Sequence, residues 1–333
     1  MLSAADHETF RRLTEGADSL VLITHAQADG DALGSELALQ RYLRSTGKRC
    51  TILNNDPVDK TLAFMIPDGD DVRIWDDVDG AGAIASADLI ILLDSATPHR
   101  VGRLEPHVVA AADRTLCIDH HPAEESPWAW TLADTSACAT AVLVYELITD
   151  AGWQPDLAAA QALYVGIATD TGYFRFNCTD ARTHRVVARL VDLGVQPAEV
   201  YEAVYEQNNL AYTRLLGHAL TTMKVDADGR VATVALSRSD LQRLNAQGED
   251  TSEITSHMLA LNGVRAVALI RERPDGKIKV SLRSKGTIDV NSLAQRHGGG
   301  GHRNASGAVL DSTLAEVQQR IVDGLVELTQ QPS

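Results

Sequence analysis

Four stretches of the chain run into residues that can hold a metal ion. Leu20–Thr24 (LVLIT) leads to His25, Asp29 and Asp31. Asp88–Leu93 (DLIILL) leads to Asp94, and Thr115–Ile118 (TLCI) leads to Asp119-His120-His121. The helical pattern Leu157–Ala168 leads to Asp170. Taken singly, such a residue is more often a turn or cap residue, and Asp31 is placed to cap the helix that follows. Taken together, three apolar runs each end in ligand-type side chains, and the joint pattern favours a metal site.

The chemistry narrows from there. Many carboxylates on one rim repel one another and would have to be protonated, a cost that divalent cations remove. Carboxylate and imidazole without a nearby cysteine suit Mn²⁺, ahead of Mg²⁺, Co²⁺ or Zn²⁺. The candidates are too many for one catalytic ion that keeps open positions. Two ions bridged by a carboxylate would use them, activating a water and neutralising phosphoryl oxygens.

Something must bring these residues to one place. The apolar runs, with Cys50–Leu53, read as short strands buried on both faces, as in a parallel sheet. Helical patterns stand between and after them at Ala32–Ser45, Thr140–Ile148 and Leu157–Ala168. In the first, Leu33, Leu37 and Leu43 stand out among polar residues. The alternation predicts an α/β fold, an N-terminal open, mostly parallel sheet with helices on both faces. The carboxyl ends of such strands share one edge, where ligands bind. The second half reads as hairpins around Asp228-Gly229 and Pro274-Asp275-Gly276 with helices beside them. That predicts a smaller C-terminal α+β domain. The expected limits are 1–190 for the first domain, 191–213 for a helical connector and 214–330 for the second domain.

Length and composition agree. A chain of 333 residues favours two domains, and 44% hydrophobic with 23% charged residues suits globular cores rather than disorder. No stretch approaches a membrane span, and the N-terminus lacks a secretory apolar region. Cys50, Cys117, Cys138 and Cys178 form no C-x-x-C pair and read as buried small hydrophobes, so a reducing, cytoplasmic setting is expected. The net charge is −15. Residues 1–190 hold 15 basic and 28 acidic side chains, whereas 265–303 hold nine basic and three acidic ones. Such an acidic chain is a poor binder of long nucleic acid, so no long DNA is expected, while a small anion at one basic patch is compatible. In that patch, four glycines at 298–301 allow backbone N–H groups to converge on an anion, beside His302, with Arg283 as a planar fork. The competing reading of the glycines is a flexible helix exit.

These residues carry a family resemblance. His25-x-x-x-Asp29-Gly-Asp31-Ala-x-Gly34-Ser35, Asp94 with Arg100 and Gly102, Asp119-His120-His121-Pro122 and Thr169-Asp170-Thr171-Gly172 resemble the DHH phosphoesterase superfamily. Ser281-Leu-Arg283-Ser284 and Gly298-Gly-Gly-Gly301-His302 resemble the type-1 DHH-associated domain. The compact two-domain length is similar to the nano-RNase and pAp phosphatase group. The resemblance implies a Mn²⁺-dependent phosphoesterase with two ions, Mg²⁺ or Co²⁺ being substitutes. It would hydrolyse short RNA oligonucleotides to mononucleotides and adenosine 3′,5′-bisphosphate (pAp) to AMP. The alternatives are a phosphodiesterase for cyclic or linear di-AMP, or a nucleotide-binding regulator without turnover. A homodimer is implied by the resemblance alone. By the same resemblance His25 and Asp29 would hold one ion, Asp31, His120 and Asp170 the other, and Asp94 would bridge. His121 would face the scissile phosphate, and Asp119 would orient a histidine or a metal-bound water. Arg100 would contact phosphate or pair with the acidic rim. Arg283, Ser284, Gly299, Gly300, Gly301 and His302 would bind substrate. Two departures stand out. Ala28 occupies a position that is often Pro, and Val142 one that is often Glu.

Overall fold

The structure, a computed structural model, describes residues 1–66, 72–75, 79–122, 126–249 and 251–330. It divides into two compact units, Met1–Gln207 and Asn208–Ser333.

The first unit is built on six strands, β1 (Ser19–Ile23), β2 (Arg49–Asn54), β3 (Val72–Ile74), β4 (Leu89–Leu93), β5 (Thr115–Asp119) and β6 (Trp130–Ala133). All pair in parallel in the order β3-β2-β1-β4-β5-β6. The chain winds outward from β1 to β3 and then returns to β4 on the other side. The two halves meet at the β1/β4 pair, the point where an open parallel sheet leaves a crevice at its carboxyl edge. Period-2 alternation sends Leu20 and Leu22 to one core and Val21 and Ile23 to another. Helices α1 (Ala4–Gly16), α2 (Gly30–Ser45), α3 (Gly80–Ser86), α4 (Glu105–Ala110), α5 (Thr140–Asp150), α6 (Leu157–Asp170), α7 (Ala181–Asp192) and α8 (Pro197–Tyr205) complete the unit. The first core packs α2, α5 and α6 on the sheet; the second holds Ile84 of α3 and Val108 of α4. Strands β3 and β6 lie outside the apolar runs that the sequence marks, because both are short edge strands with little burial.

Helix α2 departs from its amphipathic reading. Its residues are buried from Gly30 to Gln40, polar Ser35, Glu36 and Gln40 included, because α6 covers the face turned away from the sheet. That approach depends on glycine. A Cβ on Gly34 would stand 2.3 Å from the Ala162 carbonyl oxygen, and one on Gly166 2.9 Å from Ala141 Cβ. Glu36 meets Asn54 at the end of β2, with Oε2 accepting from Nδ2 at 2.8 Å. Burial pushes its carboxyl up to about 8.

The second unit is a six-stranded mixed sheet. Its elements are α9 (Leu210–Thr222), β7 (Lys224–Asp226), β8 (Val231–Leu236), α10 (Arg238–Arg243), α11 (Ser252–Leu259), β9 (Ala266–Glu272), β10 (Ile278–Ser284), α12 (Val290–Arg296), β11 (Gly300–His302), β12 (Ala305–Leu310) and α13 (Leu314–Gln330). The order is β11-β12-β10-β9-β8-β7, with β8 and β9 parallel and the other pairs antiparallel. Helices α9, α10 and α11 cover one face, and α12 and α13 cover the other. The expected connector is shared between the units. Val195 and Val200 are buried in the first core, whereas Tyr212 and Leu215 are buried in the second unit. No helix among the described residues is long and apolar enough to cross a membrane. Cys50, Cys117 and Cys138 are buried and free, but Cys178 is exposed, which corrects its reading as a core residue.

Two outcomes follow from the packing of α2. Gly34→Ala should lower the unfolding free energy by about 1–3 kcal/mol through overpacking. Gly217→Ala, on exposed α9 where a Cβ meets nothing, should leave it unchanged or raise it by up to about 1 kcal/mol. Chemical denaturation of both variants checks this. For Glu36, the folded chain keeps a proton that the unfolded chain releases near the ordinary value of 4.5. The stability that this proton supports is therefore complete below that pH and lost as pH rises to about 8. Relative to Glu36→Gln, the wild type should lose on the order of a few kcal/mol across that window, read by urea unfolding at its two ends.

Candidate metal centre

The carboxyl ends of β1, β4 and β5 and the end of α6 bring six candidate ligands together. His25 follows β1, where Thr24 Oγ1 donates to the Leu93 carbonyl of β4 at 2.8 Å. The loop after His25 is tethered by Ala26 N to Arg100 O at 2.7 Å and by Gln27 N to Asp56 Oδ2 at 2.9 Å. These bonds hold the segment that contains Ala28. Asp29, not Asp31, caps α2, its Oδ1 accepting from Asp31 N and Ala32 N. Asp94 leaves β4 with φ +59°, and its N–H donates to Ile118 O.

The ligand atoms form overlapping groups: His25, Asp29 and Asp94; Asp31, His120 and Asp170; Asp94, His120 and His121. His25 Nε2 lies 3.4 Å from Asp94 Oδ2 and 3.7 Å from Asp29 Oδ2. His120 Nε2 lies 3.1 Å from Asp170 Oδ2, 3.4 Å from Asp94 Oδ1 and 3.9 Å from Asp31 Oδ2. Asp94 thus stands between the first two groups.

The supporting contacts are absent from the sequence reading. Helix α5 begins at Ala139 with no side-chain cap. Its first two N–H groups, on Thr140 and Ala141, donate instead to Asp31 Oδ2 at 2.6 Å and Oδ1 at 2.8 Å. Thr140 Oγ1 donates to Asp94 Oδ1 at 2.9 Å. His120 Nδ1 faces Ala137 O at 3.3 Å, which leaves Nε2 toward the carboxylates. Arg182 of α7 holds this loop through Asp134 and Glu146. The signal that points to the Asp31 contact is a helical pattern preceded by alanine where a capping residue is usual.

The electrostatics of the cluster suit a cation. Burial and the neighbouring carboxylates push Asp31 and Asp170 above the usual carboxylate range. Burial works against a charged ring at His25, yet the facing carboxylates of Asp29 and Asp94 push it up to about 10. Burial likewise opposes ionisation of Asp94, but His121 and His25 hold it low. The protein alone must therefore gather protons to keep these groups together. Nε2 of His25 and of His120 is buried and turned onto carboxylate oxygens at 3.1–3.9 Å, with none of these contacts aligned as a hydrogen bond. Imidazole nitrogens converging with hard oxygen donors fit divalent cations.

The remaining candidates fall into place around this core. Asp119 is buried and takes Ala96 N on Oδ2 at 2.6 Å. Its Oδ1 faces His121 Nδ1 at 2.8 Å and accepts from His121 N. The His121 ring is 40% exposed, so it is held at one nitrogen and open at the other. Asp119 and then Asp94 push it up to about 10. Arg100 is half-buried and makes no ion pair with the rim among the described residues. Val142 is a core side chain.

In the second unit, Arg283 sits on β10 and donates to its neighbour's carbonyl, Leu282 O. Ser284 is buried, its hydroxyl donating to Ile288 O and accepting from Asn304 Nδ2. Gly298 exits α12 with φ +72°. Gly299 and Gly301 lie against β12, where a Cβ would stand 2.1 Å from Gly307 O and 2.6 Å from Ala305 O. The glycine run is thus both a helix exit and a close strand contact. Gly300, Gly301 and His302 form the exposed edge strand β11.

Residues 19–167 match the DHH family, N-terminal domain, and residues 228–330 match the DHHA1 domain. The bifunctional oligoribonuclease and PAP phosphatase NrnA of Thermus thermophilus is 30% identical over 309 residues, covering 92% of this chain and 89% of that protein. The chain belongs to the DHH family. The NrnA protein of Bacillus subtilis is 28% identical, covering 89% of this chain and 90% of its own. A crystal structure of an exopolyphosphatase-related protein from Bacteroides fragilis has a TM-score of 0.90 at 28% identity, with 99% of each chain covered. In this DHH protein the N-terminal match contains every metal candidate except Asp170, which follows it closely. The DHHA1 match contains Arg283, Ser284 and Gly299–His302.

Asp170→Asn should leave the thermal midpoint of the metal-free protein unchanged or raised, because it removes one of the crowded carboxylates at constant size. The midpoint rise on adding Mn²⁺, present in the wild type by linkage, should shrink in the variant. Thermal scans with and without Mn²⁺ check both.

Proposed function

We propose that this protein is a divalent-metal-dependent phosphoesterase that hydrolyses short RNA oligonucleotides to mononucleotides and pAp to AMP. The observation that carries the reading is Asp94 standing between two ligand groups whose buried imidazole nitrogens converge on carboxylate oxygens. His25, Asp29 and Asp94 would hold one ion, and Asp31, His120 and Asp170 with Asp94 the other, with Mn²⁺ preferred over Mg²⁺ or Co²⁺. When bound, the pair supplies an acidified water and neutralises phosphoryl oxygens.

The side chains then have distinct tasks. The α5 N-terminus orients Asp31, and Thr140 Oγ1 orients Asp94. Asp119 fixes His121 at Nδ1 and favours its protonated form, so Nε2–H is a donor for a phosphate oxygen or the departing oxygen. Arg100, unpaired with the rim, offers its guanidinium to phosphate. Arg283, Gly299–Gly301 and His302 offer donors to an anionic group of the substrate, with Ser284 shaping the turn behind them. Hydrolysis breaks the P–O bond to the departing sugar oxygen, joins the water oxygen to phosphorus and leaves a proton on the departing oxygen. The choice of short RNA and pAp is supported by the activities named for the relatives from Thermus thermophilus and Bacillus subtilis.

Product formation from pAp, a short RNA series and cyclic di-AMP with Mn²⁺ tests this. Turnover of pAp and short RNA is expected, lost with a chelator and reduced roughly 10²–10⁴-fold in His121→Ala. Turnover of cyclic di-AMP alone would assign second-messenger breakdown instead. Tight pAp binding without any product would make the protein a regulator.

A further inference from the structure

The segment after Asp170 is strained in an unusual way. Tyr173 has φ +57° and Phe174 φ +68°, two successive bulky aromatics in the left-handed region. Such residues persist only where the surroundings over-determine them, and they point to function. Here the surroundings do so. Tyr173 packs edge-on against Tyr201 at 4.8 Å, and its hydroxyl donates to Pro197 O at 2.8 Å. Phe174 meets Tyr164 and His184, and its N–H donates to Thr171 Oγ1.

The product of that strained turn is the placement of Phe176. Its N–H, like that of Arg175, donates to the carbonyl of Thr171, the residue next to Asp170. The tip of its ring rests on Gly172, where a Cβ would stand 2.5 Å from Cζ. The Arg175 guanidinium lies 5.3 Å from the ring centroid. Despite these anchors Phe176 is 48% exposed. A fixed, exposed aromatic ring with an arginine beside it is a stacking surface for a planar group, and every nucleobase offers one.

We propose that Phe176, backed by Arg175, is a stacking platform for the nucleobase of the nucleotide whose phosphate lies at the metal centre. This rests on the reading of the site as a nucleotide phosphoesterase. Phe176 makes no base-specific hydrogen bond, so the platform accepts any base, as degradation of mixed short RNA requires.

The test measures binding of AMP and of ribose 5-phosphate, with Mn²⁺, to the wild type, Phe176→Ala and Phe176→Trp by calorimetry. The wild type should favour AMP. Phe176→Ala should weaken AMP roughly 5- to 100-fold, leave ribose 5-phosphate unchanged and keep the thermal midpoint, and Phe176→Trp should restore AMP binding. Equal weakening of both ligands, or unchanged AMP binding in Phe176→Ala, would overturn the platform. A wild type that hydrolyses neither pAp nor short RNA would overturn the enzymatic reading instead, and the binding comparison would still judge Phe176.

Discussion

Asp31 has no exposed surface, and both of its carboxylate oxygens accept N–H groups from the start of α5. That contact ties α2, which carries Asp31, to α5, whose Thr140 also holds Asp94. A helix N-terminus carries partial positive charge and favours an anion there. The rest of the candidate metal centre depends on it. Without that contact a fully buried carboxylate would face desolvation and the repulsion of Asp94 and Asp170, with the His120 ring 3.9 Å away as its nearest counterweight. The glycines at the α2 and α6 contact serve the same end, since Gly166 lies within reach of both Asp31 and Ala141. Backbone proximity and charge are therefore one problem here, solved at one place.

The site is wound tightly because its members answer to two demands at once. His120 keeps one nitrogen at Ala137 O and the other toward carboxylates; His121 keeps one at Asp119 and the other open. The two rings are neighbours, 4.2 Å apart, yet their different anchors turn them in different directions. An adjacent pair of identical residue types thus divides into one turned onto the carboxylates and one left open at its far nitrogen.

Much of this is legible in the sequence, for identifiable reasons. β1, β4 and β5 are buried on both faces, so they read as unbroken apolar runs, and the residues at their ends stand out by contrast. The order of the sheet then brings His25 and Asp94 to its central pair. What escapes the sequence is whatever depends on a distant partner. Glu36 and Gln40 look like a solvated face of α2 because nothing local announces α6 above them. Asp31 looks like the cap of its own helix, and only the structure shows that Asp29 takes that role and frees Asp31 for α5. In Gly298–Gly301, glycine is needed at two positions by the neighbouring strand, a demand that comes from β12 and leaves no local trace.

The uncapped start of α5 has a consequence for anyone redesigning this protein. A routine stabilising edit would place serine or aspartate at Ala139, where helices ordinarily carry one. The new side chain would compete for the N–H of Ala141 that Asp31 now occupies. A sturdier helix would then come with a carboxylate cut loose inside the candidate cation site. Here an apparent defect in a secondary-structure element is the attachment point of the chemistry, and consensus repair of the sequence would erase it.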